Sequence, residues 1–292
     1  MTDAIASFFR SLNSQLLYRE GLVNVLLKAP YLVSLLFFNA WIKKPRRHRL
    51  TVIRNYDEDL KIEVDISKTM GASLFWTGFH EFNELRFLNR YLKDDAVFID
   101  VGANQGEFTL FAAKRVRKGA VFAFEPMSMF FDKLRSNVGL NGFDNVKCFR
   151  LGLSDHAAEA PIYLNATNPL NHEGLGSLYP VETNDGSTEV ISLVTLDSVV
   201  EAQGIKRIDF IKIDVEGAEW AALRGAEQVL RKDKPTLMVE LNRETAAKAG
   251  YKVEDMVSWL QALGYVAHEV VKGKLQPLKA RSFCNAIFLA GK

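Results

Sequence analysis

Residues 97–106 are the part of this chain that most constrains its fold. The first five are apolar except for Asp100, as in a buried strand, and they run directly into a turn that contains Gly102 and Gly106. Helical composition resumes at Phe108, so the turn joins the carboxyl end of a strand to the amino end of a helix. Free backbone N–H groups meet there, and glycine lets a ligand approach the chain closely. The segment therefore predicts a ligand site on an α/β sheet.

The rest of the chain alternates strand-like and helix-like segments, and repeated crossovers require a parallel sheet covered on both faces. The predicted elements are a hairpin at 51–66, a lead-in helix at 81–92, strands at 96–101, 120–125, 145–150, 208–213 and 236–241, and helices at 107–117, 128–139, 218–230 and 254–263. An antiparallel pair at 265–271 and 284–289 completes a doubly wound, mostly parallel sheet with a C-terminal antiparallel hairpin. The Gly/Asn/Pro-rich stretch 165–189 is the longest irregular one in this region, and such loops are often lids or substrate walls.

A second acid follows the next predicted strand. Glu125 lies 23 residues beyond Gly102, where a carboxylate can accept hydrogen bonds from both hydroxyls of a ribose. The turn reads G-x-N-x-G rather than the G-x-G-x-x-G of dinucleotide enzymes, and Asp100 and Glu107 place carboxylates on both sides of it. Carboxylates repel a pyrophosphate but suit an ammonium, so the pattern favours S-adenosylmethionine. The alternative is a tight strand-to-helix turn whose acid only serves the helix dipole.

Three motifs together resemble the FkbM family of S-adenosylmethionine-dependent methyltransferases. They are Asp100-Val101-Gly102-Ala103-Asn104-Gln105-Gly106 with Phe108-Thr109, then Phe124-Glu125-Pro126, then Lys212-Ile213-Asp214-Val215-Glu216-Gly217-Ala218-Glu219. The likeness runs from about Leu60 to the C-terminus, and the third motif is the most family-specific. The resemblance implies a class I methyltransferase that usually methylates hydroxyls of sugars, glycolipids or polyketides.

The motifs and their neighbours define a predicted cofactor site. Its residues are Glu81, Asp100, Gly102, Ala103, Asn104, Gly106, Thr109, Glu125, Pro126, Ser154, Asp155 and Asp214. The resemblance implies that Asp155 and nearby backbone recognise adenine, and an Asx turn is the alternative explanation of the same residues.

Oxygen is the leading acceptor atom for the methyl group. The chain lacks the Asn-Pro-Pro-Tyr motif of enzymes that methylate the exocyclic nitrogen of a base. It also lacks the Pro-Cys motif of enzymes that methylate a ring carbon. Transfer to a hydroxyl requires alignment and a base that removes the proton. The candidate catalytic residues are Asp214, Glu216, Glu240 and His172, with His80 a further histidine near the predicted cleft. No His cluster accompanies the acids, so no metal site is predicted.

Several of these residues have a structural alternative. Glu216 and Glu219 can both serve the amino terminus of the following helix. Lys212 is either a snorkelling edge residue or a buried cation paired with an acid, and Glu240 is one acid with which it could pair.

Composition limits the partners. The 292 residues are 48% apolar and 25% charged, and the formal net charge of +2 makes no electrostatic case for nucleic acid. A small-molecule or glycan acceptor is expected.

Cys148 and Cys284 are isolated, which predicts buried, reduced thiols and a cytoplasmic location. Two other functions stay open: a scaffold that binds S-adenosylmethionine without catalysis, and a nicotinamide oxidoreductase, which Asp100 and the missing third glycine disfavour.

The N-terminus is apolar, and we predict a helical extension at 1–50 before a methyltransferase domain at 51–292. Lys28, Pro30 and Asn39 interrupt the apolar segments, and the clean run 29–42 is shorter than the ~18 residues of a spanning helix. The apolar stretch is neither preceded by basic residues nor followed by a small-residue cleavage site, so it does not resemble a cleaved signal peptide. The favoured interpretation is packing on the catalytic domain or a homodimer contact. The alternative is peripheral membrane contact, because a basic collar follows, with Lys43, Lys44, Arg46, Arg47 and Arg49.

Overall fold

The computed structural model describes residues 2–18, 22–43, 48–164, 176–178, 188–271, 274–279 and 282–291, with the backbone alone at 22–27, 164, 176 and 177. The strands are β1 Leu50–Tyr56, β2 Leu60–Asp65, β3 Val97–Val101, β4 Ala120–Phe124, β5 Val146–Phe149, β6 Gly152–Leu153, β7 Ala158–Leu164, β8 Gly176–Ser177, β9 Thr188–Val194, β10 Phe210–Ile213, β11 Thr236–Asn242, β12 Tyr265–Val271, β13 Lys274–Pro277 and β14 Phe283–Ala290. The helices are α1 Thr2–Tyr18, α2 Leu22–Ile42, α3 Thr69–Thr77, α4 Phe82–Tyr91, α5 Glu107–Arg115, α6 Ser128–Asn141, α7 Leu196–Gln203, α8 Glu219–Arg224, α9 Glu227–Lys232, α10 Arg243–Lys248 and α11 Val253–Ala262.

An eight-stranded sheet forms the centre of the molecule, in the order β13-β12-β14-β11-β10-β3-β4-β5. β3, β4, β5, β10 and β11 are parallel, whereas β14 runs antiparallel to both β11 and β12. This is the class I methyltransferase fold, and the predicted fold class is confirmed. The chain moves outward from β3 to β4 and β5, then returns to place β10 on the other side of β3. A crevice opens at such a switch point, outside the carboxyl ends of the strands.

Both faces of the central strands are buried, which explains their uninterrupted apolar runs. Alternate residues of β3 point to opposite faces, so Phe98 and Ile99 belong to two different core clusters and neither is exposed. Phe98 stacks on Phe210 of β10 with 5.3 Å between the ring centroids. This packing fixes β10 beside β3, and with it the acids that follow the two strands.

A second, four-stranded sheet in the order β6-β9-β7-β8 was not predicted. β7 and β9 pair antiparallel on either side of the stretch 165–189, most of which lies outside the described residues. The small sheet packs Ile162, Ile191 and Leu193 against Met127 and Phe130 beyond the end of β4. It therefore adds an apolar wall over the carboxyl edge of the main sheet.

Three further details differ from the sequence expectations. Helices α3, α7 and α10 were not predicted, and the helix expected at 218–230 is divided into α8 and α9. The division occurs near Gly225, where a Cβ atom would lie 1.9 Å from the carbonyl oxygen of Ser154. Cys148 and Cys284 are thiols that are not joined in a disulfide, and each is half-buried rather than buried as expected. The hairpin predicted at 51–66, with its turn at residues 57–59, is confirmed: β1 and β2 pair antiparallel, and Asp57 and Glu58 in the turn both have positive φ.

Helices α1 and α2 pack on each other and on α3. The Asn13 side-chain amide donates to the Thr77 carbonyl at 2.8 Å and to the Ser34 hydroxyl at 3.0 Å. Phe37 stacks on Trp76 with 5.1 Å between centroids, and the Trp41 indole N–H donates to the Ile66 carbonyl at 2.9 Å. These contacts fix which side of α2 faces the protein. None of the helices in the described ranges is both long and apolar enough to cross a membrane.

Candidate functional site

A cavity of about 430 Å³ lies at the carboxyl ends of β3, β4, β10 and β11. The switch point therefore carries a real concavity, where open α/β sheets bind their ligands. The polar part of its lining consists mainly of residues that follow these four strands, and the apolar part comes from α3, the β4–α6 connection and the second sheet. The lining includes Met70, His80, Glu81, Gly102, Ala103, Asn104, Glu107, Glu125, Pro126, Met127, Leu151, Leu153, Ile162, Ile191, Leu193, Lys212, Asp214, Glu216, Glu240 and Phe283.

The turn after β3 forms one end of the cavity. Gly102 has φ 76°, and a Cβ atom there would lie 1.9 Å from the Asp214 carbonyl oxygen, so only glycine fits. The N–H groups of Gly102 and Ala103 both donate to the Phe124 carbonyl at 3.0 Å. Asn104 adopts φ 50°, a conformation that asparagine tolerates better than most residues. The turn is thus held rigidly between β4 and β10.

Glu125, the acid at the end of β4, closes the same end. One of its oxygens accepts the Asn104 N–H at 2.9 Å and the other accepts the Met127 N–H at 3.0 Å. Burial raises the pKa of Glu125 to about 7 in spite of these two donors. Each carboxylate oxygen can accept a second hydrogen bond. The side chain is therefore oriented by the turn and still able to bind two hydroxyl groups.

Lys212 lies beneath the turn as a buried cation paired with acids, which decides between its two sequence interpretations. Its ammonium is 3.3 Å from Asp214 Oδ2 and 3.9 Å from Asp100 Oδ1, and it donates to the Gly102 carbonyl at 3.3 Å. Burial lowers the pKa of Lys212, but Asp214 and Asp100 outweigh this and raise it above its usual value. Asp100 is fully buried and accepts the Thr109 hydroxyl at 2.6 Å. Asp100 thus supports the turn from behind the cavity.

Acids dominate the other end of the cavity. Glu240 is only 7% exposed, and its Oε2 has no hydrogen-bond partner among the described residues. Burial, reinforced by Asp214 and Glu216, raises the pKa of Glu240 to about 10. Burial and Asp214 raise the pKa of Glu216 to about 8. Glu81 accepts the Asn285 amide at 3.3 Å, and its pKa is raised well above normal by burial and by Asp214. Several of these carboxyls therefore hold protons near neutral pH.

Glu219 and Glu216 have separate roles in the turn after β10. Glu219 accepts the N–H groups of Val215 and Gly217 at 3.1 Å and the Tyr251 hydroxyl at 3.0 Å. It is the acid that serves the helix amino terminus. Glu216 has φ 52° and lines the cavity instead. The turn that Glu219 holds therefore presents the Glu216 side chain to the site.

A profile of the FkbM methyltransferase domain matches residues 100–267, more than half of the chain. The chain belongs to the FkbM methyltransferase family. It is 32% identical to methyltransferase sdnD of Sordaria araneosa, over 47% of this chain and 62% of that relative. It is 32% identical to the 31-O-demethyl-FK506 methyltransferase FkbM of Streptomyces tacrolimicus, over 47% and 61%, and 29% identical to the hexuronic acid methyltransferase AglP of Haloferax volcanii, over 52% and 58%.

The chain thus spans about three fifths of the length of these relatives. Among solved structures, it is similar to methyltransferase FkbM from Methylobacillus flagellatus KT, with a TM-score of 0.47 and 14% identity over 89% of this chain and 60% of that chain.

The structure of this FkbM-family chain brings together some of the predicted site residues and not others. Glu81, Gly102, Ala103, Asn104, Glu125, Pro126, Asp214, Glu216 and Glu240 all line the cavity. Asp100, Gly106 and Thr109 are not part of the lining. Ser154 and Asp155 are not part of the lining, and Asp155 Oδ1 lies 2.6 Å from Nδ1 of the exposed His156. His172 lies outside the described residues.

Sequence reasoning missed the apolar wall of the site. Met127 and Leu151 follow strand ends, and this position was a usable signal. Ile162 and Ile191 come from the unpredicted second sheet, and Met70 comes from the unpredicted α3. Among the described residues, no three His, Cys, Asp or Glu side chains come together in a way that could hold a metal ion.

Proposed function

We propose that this FkbM-family chain is an S-adenosylmethionine-dependent O-methyltransferase that acts on a hydroxyl of a carbohydrate, glycoconjugate or related natural product. The observation that carries the proposal is that one cavity joins the glycine turn and Glu125 to the acids Asp214, Glu216 and Glu240. Relatives named for a hexuronic acid and for 31-O-demethyl-FK506 support this acceptor class. In this proposal residues 51–292 are the catalytic unit and residues 1–50 are a helical extension.

The residues of the cavity fit the cofactor. Gly102 leaves bare backbone where any side chain would collide with β10. Glu125 is positioned by two backbone N–H groups and can accept both ribose hydroxyls. The carboxyl-rich lining beyond the turn suits a ligand with an ammonium group, because a nearby cation lowers the pKa of a carboxyl and favours its charged form. When bound, S-adenosylmethionine would supply an electrophilic methyl group.

The acids at the opposite end would handle the acceptor hydroxyl. Asp214 is ion-paired with Lys212, 3.3 Å away, whereas no ion pair engages the Glu216 carboxylate among the described residues. A pKa of about 8 suits Glu216 to remove a proton near neutral pH. With a pKa of about 10, Glu240 is protonated at that pH and donates a hydrogen bond rather than accepting a proton. We therefore assign Glu216 as the base, with Asp214 as the alternative.

Calorimetry and a product assay test this function together. We expect S-adenosylmethionine to bind and NAD not to bind, and we expect adenosylhomocysteine to form when the protein is incubated with a carbohydrate-containing cell extract. The Glu125→Ala variant serves as the control for enzyme-dependent release. Binding without any product on extract would support the scaffold function instead. Binding of NAD in place of S-adenosylmethionine would support the oxidoreductase.

A further inference from the structure

The side of α2 that points away from the protein is apolar over its described length except for the exposed Asn39. We define the α2 outer face by its exposed apolar residues, which recur at helical spacing: Ala29, Leu32, Val33, Leu36, Phe37 and Ala40. Leu32 is 59% exposed and Leu36 is 67% exposed, well beyond what a packed core allows. The face is about 16 Å long at 1.5 Å per residue. A largely apolar exposed surface of this length marks an interaction site.

The helix cannot rotate to bury this face, because its opposite side is anchored. Ser34 is fully buried and accepts the Asn13 amide at 3.0 Å. Trp41 donates to the Ile66 carbonyl, and Phe37 rests on Trp76 with one side while remaining 40% exposed on the other. The outer face is therefore a fixed feature of the folded chain.

The charges around the α2 outer face indicate what kind of partner binds it. Residues 22–42 contain no Asp or Glu, and exposed lysines border the outer face at both ends, Lys28 and Lys43. The sequence from 43 to 49 holds five Lys and Arg residues and no acid. A two-fold pairing of α2 with a second copy would bring Lys28 near Lys43 of the other copy, with no acid on either helix to compensate. An anionic lipid surface offers both an apolar layer and complementary charge.

We propose that the α2 outer face docks the protein on anionic membranes, with α2 lying in the plane of the bilayer interface. The apolar side chains enter the boundary between headgroups and acyl chains, and the lysines at its ends contact the anionic headgroups. This inference is independent of the proposed methyl transfer, since none of the residues of the outer face lines the cavity.

Vesicle flotation of the full chain tests the proposal. We expect binding to vesicles of phosphatidylcholine with about 30% phosphatidylglycerol, and weaker binding to phosphatidylcholine alone or at high salt. The Leu32→Glu/Leu36→Glu variant should lower the bound fraction about tenfold or more. The matched control is Val190→Glu/Val266→Glu, which adds the same charge at residues that are 62% and 50% exposed elsewhere, and it should bind like the parent chain.

Thermal melting shows whether both double variants remain folded, which is expected because all four positions are exposed. Failure of the parent chain to float with anionic vesicles would overturn the proposal, as would equal loss in the control variant. Sedimentation analysis tests the competing occupant. A parent dimer that Leu32→Glu/Leu36→Glu converts to monomer, without any vesicle binding, would assign the face to a second copy.

Discussion

Two carboxyls in the cavity hold their protons with different strength, and this difference separates their proposed roles. Burial and neighbouring acids raise the pKa of Glu216 to about 8 and that of Glu240 to about 10. A base must be deprotonated to act, so turnover should rise as the pH increases through about 8 if Glu216 accepts the proton. A protonated Glu240 serves equally well on both sides of that pH.

Glutamine substitutions test this assignment. Glu216→Gln removes the proton acceptor, and we expect turnover to fall by about 10²–10⁴-fold and to lose its rise near pH 8. Glu240→Gln keeps a hydrogen-bond donor of nearly the same shape, so turnover should fall by less than about tenfold. The measurement is the pH profile of adenosylhomocysteine release for both variants beside the parent. Full turnover in Glu216→Gln would move the base to Asp214.

The ribose assignment of Glu125 is tested by affinity. Glu125→Ala removes two acceptors from the cavity, and we expect S-adenosylmethionine to bind about 1–3 kcal/mol more weakly in calorimetry. Glu227→Ala is the control, because Glu227 is a surface residue whose carboxylate pairs with Arg231 on α9. Unchanged affinity in Glu125→Ala would remove Glu125 from the cofactor site.

At the level of elements, the turn between β3 and α5 requires a glycine at position 102, because no other residue fits there. In Gly102→Ala the new Cβ would collide with the Asp214 carbonyl oxygen at φ 76°. We expect urea unfolding to show a loss of more than about 2 kcal/mol, since left-handed backbone costs a side chain about 1–2 kcal/mol even without a collision. Binding of S-adenosylmethionine should be lost as well.

The matched control lies in helix α6. A Cβ atom on Gly139 would meet no atom within 4 Å, so Gly139→Ala should stabilise the helix by about 0.5–1 kcal/mol. Equal stability of the Gly102→Ala and Gly139→Ala variants would show that the turn after β3 is not tightly packed.

The elements that could be predicted are those whose sequence signal is local. β3, β4, β10 and β11 are apolar runs bounded by turn residues, and their strand-end acids meet because parallel strands end at one edge. The second sheet lacks such a signal. In β9 an outward-facing Val190, which is 62% exposed, breaks the alternation of apolar and polar residues. Helix α3 also escapes, because it is buried on every side from Gly71 to Thr77 and shows no helical period.

Contacts between distant residues explain the remaining differences. The break between α8 and α9 accompanies the close approach of Gly225 to the Ser154 carbonyl, which joins positions far apart in sequence. Ser154 and Asp155, which were predicted to bind the cofactor, directly follow Leu153, which lines the cavity, but are not part of the lining themselves. Lys212 could be assigned as a buried, paired cation only once β10 was placed beside β3.

At the scale of the whole molecule, the site lies between the carboxyl edge of the main sheet and the apolar wall of the second sheet. One wall of the cavity also involves α3, which supplies Met70 on that side and packs Trp76 against Phe37 of α2 on the other. The helical extension and the cavity thus share one element.

The buried acids of the site should make the stability of the whole protein depend on pH. Burial raises the pKa of Glu107 and of Glu125 to about 7, and the pKa values of Glu216 and Glu240 stand at about 8 and 10. In the unfolded chain these carboxyls have a pKa of about 4.3. Between that value and the folded ones, the native state binds more protons than the unfolded state, so stability falls as the pH rises.

We therefore expect the ligand-free protein to be more stable at pH 6 than at pH 9. At pH 9 the folded protein must either bury charged carboxylates or keep these carboxyls protonated at a pH where the unfolded chain has released the protons, and both cost free energy. One pKa unit corresponds to about 1.4 kcal/mol, so even a small part of these shifts should lower the melting temperature by at least about 3 °C. Glu240→Gln removes the acid with the highest of these four pKa values, and it should reduce the difference in melting temperature between pH 6 and pH 9. Glu227→Gln, at a half-buried position on α9 outside the cavity, should leave this difference unchanged. Equal melting of the parent chain at pH 6 and pH 9 would mean that the cavity acids ionise as they do in water, and the separation of roles between Glu216 and Glu240 would lose its basis.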